Sequence, residues 1–335
     1  MVSSRLQLPN LKYPGILILS VLVLLGSLTA PPARAAETPG KDAAGPWSVS
    51  VQTKYFFQSH TSYEFGNPFP PYQTPLSRLE FPLNSWWAGA SLRREFSRFS
   101  AGVEVFRNLS GEVEGKMMDS DWDDDDKPAL KTIYSESSCR MEPSYIVRGD
   151  VDLKISDWLR LPHWLDLRPV AGLTWQRFSL VTHDGAQYAL TPDGVQTVLL
   201  PGDGIRFEQT YWQFFVGFKT VFDLGKPFRL AGLKIETQID WAYVAGNNED
   251  RHLLRAGNRI TEENTTGDAW HALVNLKIGL TQNLNALLGA EYRRIATTGS
   301  HRLTNELFGI DFKFYHGVKV WSEQTNLTLG LEYTF

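Results

Sequence analysis

The chain has 335 residues, a formal net charge of −4 and one cysteine, Cys139. The mildly acidic balance argues against a nucleic-acid binder, which needs a basic face, and a lone thiol excludes a fold stapled by internal disulfides. Phe, Trp and Tyr make up 13% of the residues, so stability has to come from a large aromatic core or from a closed sheet.

Taken in chain order, the first segment reads as an export signal rather than as fold. Arg5 and Lys12 precede an apolar run from Gly15 to Gly26, and Ala33-Arg34-Ala35 supplies a small-residue cleavage site. Residues 1–35 are therefore expected to be a signal peptide, with 36–335 as the mature domain. The apolar run is too short for a membrane helix, which needs about twenty residues. Removing residues 1–35 takes the formal charge to −7.

Beyond residue 36, periodicity decides the class. From Leu233 to Tyr243 (LKIETQIDWAY), odd positions are mostly apolar, while even positions carry Lys234, Glu236, Gln238 and Asp240. That is the period of a strand. Residues 145–155, 270–280 and 325–335 alternate in the same way. Charges along the inner face of long strands make a poor sandwich core but suit a barrel with lipid outside and a wet lumen. Ten strands are predicted, at 47–58, 84–95, 99–117, 143–156, 165–181, 206–223, 228–245, 268–281, 284–297 and 324–335. The expected fold is all-β: a ten-stranded antiparallel transmembrane barrel. Its short turns lie at one end. The long loops 59–83, 118–142, 182–205, 246–267 and 298–323 lie at the other, on the extracellular side. Trp47, Trp86, Trp87, Trp212, Trp241, Trp270 and Trp321 are expected in interfacial girdles.

The second long loop holds MMDSDWDDDD, with six carboxylates between Asp119 and Asp126. Asp119 and Asp121 have strand spacing and share a face if the backbone is extended. Two close carboxylates cannot both ionise cheaply, so such a pair tends to keep one proton and can hold a water. The fourth loop begins GNNEDRH. If strand seven continues, Asp250 and His252 fall on its even, lumen-facing side, where a carboxylate can orient an imidazole that accepts a proton from water. One obstacle stands out. The polar face of strand three is even (Glu104, Asn108, Glu112, Glu114), whereas Asp119 and Asp121 are odd. A bulge near 116–118 is needed to turn them inward. Asp123 to Asp126 read as a solvated loop, with a calcium site as the alternative. His271, His301 and His316 have no acidic partner at useful spacing along their own strands.

MMDSDW, NEDRHLL followed by NRIT, SRLEFPLNS (Ser77 to Ser85) and the terminal LEYTF resemble the omptins, outer-membrane aspartyl-type endoproteases with ten-stranded barrels. The resemblance implies catalytic roles for Asp119, Asp121, Asp250 and His252 around an activated water, with no metal. It implies peptide or protein substrates with basic, possibly dibasic, cleavage sites. It places Glu64 and Asn248 at the pocket for the basic side chain, Asn248 standing where the family carries an acid, and Ser135 where another acid is usual. It implies lipopolysaccharide as an activator, with Arg177 kept from the lipid-binding cluster, and Trp175 and Thr210 replacing other members of it. It further implies a monomer, a site facing the cell exterior and no nucleic-acid partner. The alternative is a catalytically inactive barrel of the same kind, serving as an adhesin or a narrow pore.

Overall fold

A computed structural model describes residues 46–67, 74–225 and 232–335. The segment expected to be a signal peptide lies outside the described residues. The strands, in order, are β1 (Trp47–Phe65), β2 (Ser77–Pro82), β3 (Trp86–Glu95), β4 (Phe99–Asn108), β5 (Met117–Asp121), β6 (Ile133–Met141), β7 (Tyr145–Leu153), β8 (Leu165–Thr191), β9 (Gly194–Asp223), β10 (Leu233–His252), β11 (Arg259–Gly279), β12 (Leu284–Asn305) and β13 (Ile310–Thr334).

These thirteen segments make ten barrel positions. β2 and β3 both pair with β1, β5 and β4 follow them, then β6 and β7, and both of these pair with β8. Each of these three couples is thus one interrupted strand. β13 pairs antiparallel with β1 from Ser48↔Thr334 to Phe65↔Val318, which closes the ring and leaves no edge. The predicted all-β, ten-strand antiparallel barrel is the observed architecture.

The alternation explains what holds the cylinder. Outward residues such as Val105, Phe214, Val216, Phe218, Ile239, Leu327 and Leu329 are exposed. In water that apolar surface would cost about 25 cal/mol per Å²; against lipid tails it costs nothing. Trp86, Trp212, Trp241, Tyr243, Trp270 and Tyr292 stand at the edge of this belt. Trp87 does not join them. It points inward, fully buried, and donates from Nε1 to Ser85 Oγ at 3.0 Å. Inside the belt, charges neutralise one another: Lys54 with Glu291 at 2.9 Å, Arg148 with Asp240 at 3.1 Å, and His271 between Asp240 at 2.8 Å and Glu291 at 3.0 Å. The acidic partners of His271 come from neighbouring strands, so spacing along its own strand could not reveal them.

The strands run much further than expected at the end opposite the short turns. β9 has 30 residues, about 100 Å of extended chain, whereas a membrane crossing takes about ten. Residues 182–205 and 298–323, read as loops, are largely ladder, with connections only at 192–193 and 306–309. Above the membrane both faces meet water, so alternation fades, and Gly, Asn and Asp read as turns although the ladder hydrogen bonds continue. Between the belt and that end, Phe56, Tyr63, Phe81, Trp87, Phe178 and Phe207 fill the lumen, each at most 2% exposed. Phe81 and Phe207 stack at 4.3 Å and Tyr63 and Phe207 at 5.8 Å. This aromatic plug is the floor of the cleft above it.

Candidate active site

Two bulges set which side chains look into the cleft. Between β3 and β4 the register pairs Trp87 with Asn108, yet further up Asn84 bridges Glu114 and Leu79 pairs with Asp119. Three extra residues are therefore inserted between Asn108 and Glu114. An odd insertion reverses parity. Gly115 sits in this irregular stretch at φ +114°, a conformation that favours glycine. The bulge that the sequence demanded near 116–118 exists, a few residues earlier. Asp119 and Asp121 now stand beside the inward residues Leu79 and Ser77, and Ser77 hydrogen-bonds Asp121.

On the opposite wall β10 keeps its parity from end to end. Gln238, Asp240, Ala242, Val244, Asn248 and Asp250 are all buried, and Ile239, Trp241 and Tyr243 are exposed. Asp250 is wholly buried. Its Oδ2 collects three donors: Tyr63 Oη, His252 Nε2 at 3.1 Å and Thr261 Oγ1 at 3.4 Å. Because Nε2 faces Asp250, Nδ1 is the ring nitrogen left for chemistry. Which nitrogen carries the proton follows from that carboxylate, which favours Nε2–H.

The electrostatics tie the walls together. Burial, then the Asp121 charge, pushes the Asp119 carboxyl up to about 7, while His252 and Arg259 pull it down. Asp121 is also raised, chiefly by burial. Burial alone would raise Asp250, but the adjacent imidazole and the Tyr63 hydroxyl hold it below the ordinary carboxylate range. The Asp119/Asp121 pair is thus arranged to retain a proton and Asp250 to stay ionised, the division of labour an acid–base site requires. Asp119 Oδ1 and Asp250 Oδ1 are buried with no hydrogen-bond partner among the described residues.

Glu64 is not brought to this cleft. Gln58 has φ 49° and the β1–β13 register slips between Phe57 and His60. Inward positions therefore change from even (Phe56) to odd (Thr61, Tyr63). Glu64 faces the outer side, where Arg78 Nε bonds it at 2.8 Å and Lys319 lies 3.6 Å away. Arg78 itself lies over the rings of Trp122 and Trp321. Glu64→Gln is accordingly expected to leave peptide cleavage preference unchanged, as a side-by-side digestion of one peptide set by both proteins would show. Asn248 does face inward, buried, directly across from Glu263. Glu263 is paired with His301 at 2.8 Å, so His301 also finds its acid on a neighbouring strand. Ser135 is buried opposite Asp119. Arg177 lies on the outer wall, near the Trp175–Trp212 pair, bonded to Glu208 at 2.8 Å. His183 is held on the exterior by Asp184 and Glu112. Asp124 Oδ1 accepts from the backbone N–H groups of Asp126 and Lys127, making the acidic run an exposed turn.

Tyr63 and Arg259 escaped the sequence reading. Nothing in SHTSYEF distinguishes an inward Tyr63 until the β1 bulge is known. Tyr63→Phe removes one of three donors to Asp250. It is expected to lower stability by about 1 kcal/mol and activity by roughly tenfold, read from urea midpoints and initial peptide-cleavage rates.

The chain matches the Omptin family over residues 88–335. Among solved structures it is similar to the outer membrane protease OmpT from Escherichia coli. The TM-score is 0.77 with 15% identity, over 90% of this chain and 100% of that one. The translocator domain of the autotransporter NalP from Neisseria meningitidis follows at TM-score 0.32 and 8% identity, over 96% and 95%. The outer membrane protein OprG from Pseudomonas aeruginosa gives 0.29 and 11%, over 87% and 96%. The likeness to OmpT concerns the fold; the other two are too distant to bear on this chain. No curated protein sequence matches it.

Proposed function

The chain belongs to the omptin family of outer-membrane proteases, and on that premise we propose that it is an endopeptidase in which His252 activates a water between two acidic walls. The observation that carries this reading is the convergence of Asp119 and Asp121 from β5 with Asp250 and His252 from β10 on one cleft, above a sealed aromatic floor.

The residues divide the work as follows. The Asp119/Asp121 pair, sharing one proton, holds the water by hydrogen bonds. His252 Nδ1 takes a proton from it as the oxygen attacks the scissile carbonyl. The shared proton supports the oxyanion that forms. Asp250 keeps the ring oriented and stabilises the imidazolium. The imidazolium then returns its proton to the leaving amine as the C–N bond breaks, so the enzyme ends as it began.

A preference for basic side chains is part of the proposal. Its support is the carboxylate-rich rim, Asp119, Asp121 and the turn 123–126, and not Glu64. The site is taken to face the cell exterior, the protein to act as a monomer, and Arg177 to meet lipopolysaccharide from the outer wall. Digestion of a peptide library by detergent-folded protein, with and without lipopolysaccharide, tests these points together. Cuts beside Lys or Arg, faster with the lipid, are expected; cuts with no basic enrichment would remove the specificity claim, and no cuts at all the peptidase claim. A pore is disfavoured by the aromatic plug. An adhesive role has some support in apolar side chains exposed at the far end, including Leu199, Phe308 and Tyr315.

A further inference from the structure

Arg259 occupies the cleft and has no part in the hydrolytic reading above, on which its role depends. It is the first residue of β11, directly across from His252 in the β10–β11 register. Thr261 and Glu263 on the same strand are buried and inward, so Arg259, two positions before Thr261, shares their face. Cross-strand partners on one face have neighbouring side chains. Its Nε is buried and has no hydrogen-bond partner among the described residues. Arg140, by contrast, is clamped on one carboxylate, with both terminal nitrogens on Asp203 at 2.7 Å. Arg259 instead faces a group of acids: Asp119 and Asp121 from β5 and Asp250 from β10, with Glu263 on its own strand. Tyr63 of β1 borders the same space through its bond to Asp250, and Asp123 adds its charge beside Asp121.

We propose that Arg259 is the positioning cation of the site: from its place across from His252, its guanidinium limits the Asp119/Asp121 pair to a single proton and keeps the imidazole free of one. Without a cation, the clustered acids would favour extra protons on themselves and on the ring. The water would then have no base. Arginine suits the task because it stays charged on partial burial, where lysine can lose its proton.

The test compares pH profiles of kcat/KM for wild type, Arg259→Gln, Arg259→Met and Arg259→Lys on one basic fluorogenic peptide. Heat-dependent mobility on gels reports which variants are folded barrels. Loss of the cation favours the protonated form of both the imidazole and the carboxyl pair. Both limbs of the bell should therefore move to higher pH, by about one unit, in whichever neutral variant folds, and by less in Arg259→Lys, which supplies the charge while its amine is protonated. A lower rate at every pH with both limbs in place would overturn the proposal. A carbon-13 titration of Asp carboxyls and His rings, with His252 assigned by His252→Ala, reads the same quantities without turnover. Upward displacement of His252 and of the Asp119/Asp121 pair in the neutral variants supports Arg259 as the positioning cation, and unchanged titrations refute it. An inactive wild type with displaced titrations would count against the hydrolytic reading alone.

Discussion

His252→Ala is expected to reduce kcat/KM for peptide cleavage by about 10²- to 10⁴-fold, the range ascribed to a general base, while the protein still folds as a barrel. The imidazole contributes little to the ladder. It stands at the last residue of β10, partly exposed, and its ion-pair partner is Asp250 at 3.1 Å. Removing it leaves Asp250 with Tyr63 and Thr261 as donors, so the buried carboxylate is not stranded. The stability loss should stay near 1–3 kcal/mol. A fluorogenic basic peptide gives the rate, and heat-modifiable mobility reports the fold. Cleavage at the wild-type rate would show that the base is elsewhere.

Asp250→Asn should be nearly as damaging, and for a different reason. An amide in place of the carboxylate can turn its NH₂ toward His252 Nε2. The ring must then accept there and carry its proton on Nδ1, the nitrogen that should receive the proton from water. A wrong tautomer costs up to about 10⁴-fold. The Tyr63 hydroxyl, which meets the same corner of the group, can accept from the second amide N–H, so the fold should survive. The expected signature is low kcat with little change in KM. A change in KM alone would instead place Asp250 in substrate binding.

The two walls of the site differ in how far they could be read from the chain. Strand seven alternates from Leu233 to Tyr243 and β10 runs on to His252 without a register shift, so the shared face of Asp250 and His252 followed from counting once the strand was taken to continue. Asp119 and Asp121 fell on the wrong parity, and the need for a bulge could be stated in advance because a face must reverse. Its place, between Asn108 and Glu114, could not, since glycine and polar residues there also suit a plain loop. The second bulge, at Gln58–Ser59, gave no warning and turned Glu64 away from the cleft. Pairings across strands, such as His301 with Glu263 and Tyr63 with Asp250, depend on register between distant segments, and spacing along one strand does not encode that.

The most direct test of the four-residue arrangement is a high-resolution crystal structure of the detergent-folded protein. One ordered water is expected within hydrogen-bond distance of both His252 Nδ1 and an oxygen of Asp119 or Asp121, with Nε2 turned to Asp250. Carboxylates and imidazole too far apart to share a single solvent molecule would contradict it.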